Sequence, residues 1–384
     1  MTTASPNKRR SGTVVVFTLL MMIGMLAFVA LAVDIGYLSV AQSELRRSAD
    51  AAAIAGANEL VNKVSQVRLG APSFSLESVR AATGQFAGFN RVASDAPALA
   101  SADTAIGWLT YPFHPDAGFD VSDPSRFNAV SVRVRRTTDQ NGEVNLFFAK
   151  ALGVNSKAME AEAVAVFLNN IGGFQTPPEG ETLDILPFAL DKTTWDNLLA
   201  GGGNDLYKWD KDTKTVSSGC GDGVREVNLY PQGTGSPGNR GTVDIGPANN
   251  STSDICRQIR NGISRSDMEA LTASGRSLEF DDTGKLYLNG DTGISAGVKD
   301  DLASIIGQTR IIPIFASVSG NGNNAEYTIT AWAEVRVMYV KLTGSPSSKK
   351  LIVQPANVVA KYGVPSPGET PTSYSVFSAP WLIR

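Results

Sequence analysis

The chain has little with which to do chemistry. It carries one histidine, His114, and two cysteines in 384 residues. A tetrahedral zinc site takes a full set of nitrogen and sulfur ligands, and two cysteines with no histidine near either supply only half of it. His114 sits in the turn-like string Tyr111-Pro112-Phe113-His114-Pro115, and a Ser-His-Asp arrangement would have to use it as its base. Glycine-rich strings such as Gly201-Gly202-Gly203 and Gly219-Cys220-Gly221-Asp222-Gly223 lack the Gly-Lys-Ser/Thr ending of a phosphate loop and read as turns. Trp209-Asp210-Lys211-Asp212-Thr213-Lys214 and Asp281-Asp282-Thr283-Gly284 are acidic but miss the ligand spacing of a calcium loop. Aspartate is common in turns because its carboxylate accepts from nearby backbone amides. A formal net charge of −3 gives no basic face for nucleic acid. These shortages point away from an enzyme, a metal or a bound cofactor.

What is present is concentrated at the N-terminus. No charged side chain lies between Arg10 and Asp34, and a helix crosses the ~30 Å hydrocarbon slab with about 20 apolar residues. Residues 13–33 are therefore expected to form a transmembrane helix behind a basic tail, 1–12. Lys8, Arg9 and Arg10 precede the run and Asp34 follows it, which places the N-terminus in the cytoplasm and residues 34–384 outside. A cleaved signal peptide is the competing reading, with Ala30-Leu31-Ala32 as the small-residue site. The length of the run, and a helical pattern that passes the cut without a proline or turn cluster, favour retention. No later segment is apolar enough to cross a membrane again.

Beyond the membrane the pattern continues as one helical face. Leu38, Ala41, Leu45, Ala49, Ala52, Gly56, Leu60, Val64 and Val67 recur at steps of three or four. Its middle is built of small residues, which let another backbone approach closely. Two occupants fit such a face: the protein's own domain, or a helix of another subunit. On the opposite side, Glu44 with Arg47 and Arg46 with Asp50 have the spacing of helix ion pairs.

These features together resemble a family. The basic-Gly start (Arg9, Arg10, Gly12), the apolar helix ending in Val33-Asp34-Ile35-Gly36-Tyr37, and the block Ala49-Asp50-Ala51-Ala52-Ala53-Ile54-Ala55-Gly56-Ala57 look like the N-terminal segment of TadE/TadG-like proteins of Flp-type (tight adherence) pilus assembly. The resemblance covers about an eighth of the chain. It implies an envelope protein of bacterial type in the cytoplasmic (inner) membrane, with pilin-like or other pilus-assembly proteins, or copies of itself, as partners beside the lipid bilayer. Two departures restrict it. Processed pilins carry a glutamate at the fifth position after the cleaved glycine, where this chain has Phe17. Larger TadG-like proteins can carry a von Willebrand A domain with an Asp-x-Ser-x-Ser metal loop, and Asp120-Val121-Ser122-Asp123-Pro124 fails at its last position.

The rest of the chain is long enough for two domains. Residues 34–168 are expected to form the helix continuation and a small pilin-like α+β layer. In it, 79–90 reads as a helix with Val79, Ala82, Phe86 and Phe89 inward, and 105–113 as a strand. A second strand alternates Val130, Val132 and Val134 with polar residues, 143–153 is a helix closed by Gly153, and a last strand carries Met159, Ala161, Ala163 and Ala165 on one side. The string NNIGGFQTPPEGE, 169–181, is the expected linker. Residues 182–354 should form a β-rich second domain, with a Thr-capped helix near Trp195, a turn at Asp210 to Thr213, two helices between 253 and 275, and a long C-terminal hairpin. The proline-containing tail, 355–384, is expected to be mostly loop. Cys220 and Cys256, placed where thiols oxidise, are expected to form a disulfide across a 36-residue span, worth roughly 3 to 4 kcal/mol.

The fold class is thus α+β, and the function expected is a non-enzymatic, single-pass component of Flp/Tad pilus assembly or surface attachment. The alternative is a membrane-anchored ectodomain that senses or binds a ligand or glycan.

Overall fold

The computed structural model describes residues 13–68, 75–109, 119–230, 241–247, 251–291, 294–320, 325–366 and 371–383. Helix α1 runs unbroken from Thr13 to Arg68. Nothing in it interrupts the hydrogen-bond ladder, since it contains no proline and its glycines stand singly. Among the described residues it is the one helix long and apolar enough to cross a membrane. Its two halves meet different surroundings. From Val14 to Val33 the large apolar side chains are exposed, whereas from Ala41 onward one face is buried.

That face is covered by helix α2, Glu77–Phe89, and by a sheet. The sheet contains β1 (Thr104–Leu109), β2 (Phe119–Asp120) and β3 (Ala129–Arg136). A short pair, β4 (Val144–Asn145) and β5 (Ser156–Lys157), leads into β6 (Met159–Val166). The spatial order is β2, β1, β3, β6, with the C-terminal strand Trp381–Ile383 on the far edge of β6. The alternation read in the sequence holds. Val130, Val132 and Val134 of β3 and Ala161, Ala163 and Ala165 of β6 face the helix in one apolar core with Leu45, Ala49, Ala52 and Leu60. Burying Leu45 and Leu60 fully contributes roughly 2 kcal/mol each relative to exposure.

Helix α2 forms where expected but turned. Val79, Thr83 and Ala87 are buried, while Phe86 and Phe89 are exposed and meet each other edge to face at 5.7 Å. Close approach to α1 explains this: a face of small residues on one helix accepts a face of small residues on the other, and a phenyl ring would hold them apart. The helix expected over 143–153 is also corrected. Val144–Asn145 is strand, and Ala149–Leu152 is a single 3-10 turn ended by Gly153 in the left-handed region at φ 87°.

The second body is built on a sheet that closes on itself. Phe188–Asp191 pairs with Gly241–Val243 and with Thr309–Ser319, and Leu286–Asp291 pairs with Gly241–Val243. The long strand Ala325–Lys341 pairs with both Leu286–Asp291 and Thr309–Ser319. Each of the five strands therefore has two partners, which is a barrel, and a barrel this narrow is filled by its own side chains. The far end of Ala325–Lys341 extends past the barrel to pair with Lys350–Pro355, which carries Val227–Asn228 on its other edge. Helices Thr252–Asn261 and Arg265–Ala273 form as expected, each behind a serine capping box. The helix Lys192–Leu199 is capped by Asp191, whose carboxylate accepts the Thr194 amide, and not by a threonine.

Two expected loops are ordered instead. Within 169–181, Ile171–Phe174 is a buried strand paired with Gly363–Pro365. Within 355–384, Ser373–Tyr374 joins Ala325–Lys341, Val376–Ser378 joins Val358–Ala360, and Trp381–Ile383 returns to β6. This return seals the junction of the two bodies: Phe377 meets Phe167 edge to face at 5.8 Å, and the Ser378 hydroxyl accepts the Leu168 amide at 2.8 Å.

Candidate functional site: where the helix leaves the apolar span

The site is a series of contacts by which α1, on emerging from its exposed apolar half, grips the folded domain. The first is Asp34. Its side chain is only 4% exposed and receives three successive backbone amides. Phe147 N donates to Oδ1 at 2.9 Å, Phe148 N to Oδ2 at 3.1 Å, and Ala149 N to Oδ2 at 2.7 Å. The carboxylate therefore satisfies the free N–H groups at the start of the 3-10 turn, as a capping side chain does, although it comes from more than a hundred residues away. One turn along α1, Tyr37 packs edge to face on Phe147 at 5.0 Å. Asp34 was expected only as an orientation flank; the structure makes it a fastening.

The grip continues up the helix. Gln42 Nε2 donates to the Glu160 carbonyl at 3.1 Å. Glu44, instead of pairing with Arg47, accepts the Ala93 amide at 2.8 Å. The buried Ser48 hydroxyl donates to the Ala87 carbonyl at 3.1 Å. At Gly56 the approach is close: a Cβ there would lie 2.4 Å from Thr83 Cγ2 and 3.0 Å from Val130 Cγ1.

The small-residue stripe is thus occupied. Leu38 is half-buried, and Ala41, Leu45, Ala49, Ala52, Gly56, Leu60 and Val64 are buried under α2, β3 and β6 of the same chain. The helix that takes advantage of the small residues is the protein's own α2, which leaves no open stripe for a helix of another subunit. Lys8, Arg9 and Arg10 lie outside the described residues, as do His114 and the side chain of Val67.

The cysteines do not pair. Cys220 is exposed in the turn after Thr215–Ser218, with Ser217 Oγ 3.9 Å from its sulfur. Cys256 is half-buried on Thr252–Asn261 against the Gly297 carbonyl. Burial, reinforced by Asp301, pushes the Cys256 thiol up to about 11. The expected disulfide is therefore corrected to two free thiols held on separate elements.

The acidic strings are turns. Asp210 accepts the Asp212 and Thr213 amides, Asp281 accepts those of Thr283 and Lys285, and Asp120 accepts that of Ser122. Among the described residues no group of histidine, cysteine, aspartate and glutamate is arranged to hold a metal. One string with nucleophile-elbow spelling, Gly293-Ile294-Ser295-Ala296-Gly297, was missed by the sequence reading. Its serine has an unstrained φ of −60° and caps the 3-10 turn that follows, accepting the Gly297 amide, so it lacks the sharp geometry of an elbow.

With that geometry in view, the comparison with known families is specific. Residues 12–59 match the Flp pilus-assembly TadE/G-like family model. That segment is TadE/G-like. The match contains the exposed apolar half of α1, Asp34, and the stripe as far as Gly56, while residues 60–384 fall outside it. No curated protein matches the chain, and no solved structure does. The TadE/G-like segment and the helix that grips the folded domain are one continuous element.

Proposed function

We propose that this protein is a non-enzymatic, single-pass component of Flp/Tad pilus assembly or surface attachment, held in the inner membrane with its N-terminus in the cytoplasm. The observation that carries the reading is the coincidence just described. The family match falls on a helix whose first half exposes a membrane-length apolar surface and whose second half is the spine of a folded domain. The basic residues Lys8, Arg9 and Arg10 supply the direction. With the stripe used internally, contacts to other pilus-assembly proteins fall to the exposed apolar half of α1 and to the outer surfaces of the two bodies.

A single helix of this length serves as a stable anchor, because its backbone groups are satisfied internally and its side chains suit lipid. Rigid continuation of that helix transmits the anchor's direction directly to the ectodomain. Carbonate-washed membranes should retain the full-length chain. Release of a soluble chain beginning near Val33 would show a cleaved signal and overturn the anchor.

A further inference from the structure

The segment Leu146 to Asn155, Leu-Phe-Phe-Ala-Lys-Ala-Leu-Gly-Val-Asn, is apolar and yet exposed. Phe147 is 60% exposed, Phe148 51%, Leu152 85% and Val154 49%. Four large apolar side chains turned to solvent within eight positions are unusual outside an interaction surface. The segment has no acidic residue and carries Lys150 at its centre, with Lys157 just beyond.

Its place in the fold identifies what covers it. Asp34, the first charged residue after the apolar run, holds the amides of Phe147, Phe148 and Ala149 directly. At 1.5 Å of rise per residue, Val33 and Asp34 mark one level along α1, so these rings lie within about one turn of the point where the span ends. The exposed surface of the segment is therefore continuous with the exposed surface of the span, through Val33, Ile35 and the Tyr37–Phe147 contact.

We infer that the 146–154 segment is a second membrane contact, dipping Phe147, Phe148, Leu152 and Val154 into the interface of the same bilayer that α1 crosses. Aromatic side chains suit that depth, and Lys150 and Lys157 face the phosphate level, where basic residues are attracted to anionic lipid. A single helix leaves a domain free to tilt. A second contact, fastened to the helix by Asp34, fixes the ectodomain's stance over the membrane. The inference rests on the anchored reading of α1.

The test uses the full-length chain with Cys220→Ser and Cys256→Ser, carrying one new cysteine at a time: Leu152→Cys, Met22→Cys in the span, or Val121→Cys at the distal end of the first sheet. Each is labelled with an environment-sensitive fluorophore and reconstituted at one copy per nanodisc of phosphatidylcholine and phosphatidylglycerol. Lipids carry a nitroxide either near the headgroup or deep in the acyl chain. The label at Leu152 should lose emission to the shallow nitroxide and little to the deep one. The label at Met22 should lose it to the deep one, and the label at Val121 to neither. A Leu152 label untouched by both nitroxides while Met22 is quenched overturns the second contact and leaves the anchor intact. A blue-shifted but unquenched Leu152 label means a protein surface covers the segment, which also overturns it. An unquenched Met22 label refutes the anchor itself, and the second contact falls with it.

Discussion

At Gly56, α1 packs tightly against both α2 and β3, and Gly56→Ala puts that packing to a direct test. The added methyl would sit 2.4 Å from Thr83 Cγ2 and 3.0 Å from Val130 Cγ1. Thr83 cannot easily turn away, because it is β-branched and its hydroxyl bonds the Arg80 carbonyl at 2.8 Å and Thr104 Oγ1 at 3.2 Å. Overpacking a filled core costs about 1 to 3 kcal/mol, while alanine over glycine inside a helix returns roughly 1 kcal/mol. The net is a loss of up to about 2 kcal/mol, which at about 2 to 4 °C per kcal/mol lowers Tm by as much as about 8 °C. Thr83→Ser removes the opposing methyl and keeps the hydroxyl, so Gly56→Ala with Thr83→Ser should recover most of the loss. That would give a coupling of about 1 to 2 kcal/mol in the double-mutant cycle. Thermal melts of the full-length chain in detergent, followed by near-ultraviolet circular dichroism, read all four forms. If Gly56→Ala raises Tm and the two substitutions act additively, helix propensity has won over contact, and the reasoning about the spine is wrong.

Asp34→Ala should free the Phe147, Phe148 and Ala149 amides, so hydrogen exchange of residues 147–152 should accelerate while exchange in β3 stays slow; unchanged exchange at 147–149 would show that the carboxylate does not hold the turn. Glu334 is fully buried on the long strand Ala325–Lys341. Burial, against which Arg336 acts only in part, holds it well above the ordinary carboxylate value of 4.5. A group raised on folding contributes stability that is complete below its unfolded value and is lost as pH rises beyond it. The second body should therefore weaken as pH climbs above about 4.5, and Glu334→Gln should flatten that slope; the same slope in the variant would assign it elsewhere. Thiol labelling of the denatured, unreduced chain should find two free cysteines, with Cys220 reacting first in the native protein and Cys256 slowly, its thiolate being scarce. A chain with no reactive thiol would restore the disulfide.

Much of this was legible from periodicity, and the failures share a cause. A period of two in Val130, Val132 and Val134, and a period near 3.6 along the stripe, name the faces that a core will bury, and both were buried. Periodicity says nothing about which partner fills a face, so the small-residue stripe read equally as a site for another subunit. Nor does it choose between two apolar sides of one helix. On α2 the steric need for small residues at Thr83 and Ala87 outweighed the larger apolar area of Phe86 and Phe89. The Asp34 contact spans more than a hundred residues and leaves no local trace apart from a charge at the end of an apolar run, and the apolar string Leu146-Phe147-Phe148 read as part of a helix over 143–153. The prolines marked 355–384 as mostly loop, but they could not show that Trp381–Ile383 returns to pair with β6, because pairing to a distant edge depends on backbone alone.

The central claim is that the TadE/G-like helix and the ectodomain it carries act together in building Flp pili. The most direct measurement is pilus assembly, by electron microscopy and by attachment to a surface, in cells lacking this chain. The account predicts that assembly or attachment is lost. It predicts restoration by the intact chain, but not by a form whose residues 13–33 are replaced with a cleaved signal. Normal pili and attachment without the chain, or full rescue by the released ectodomain, would contradict it.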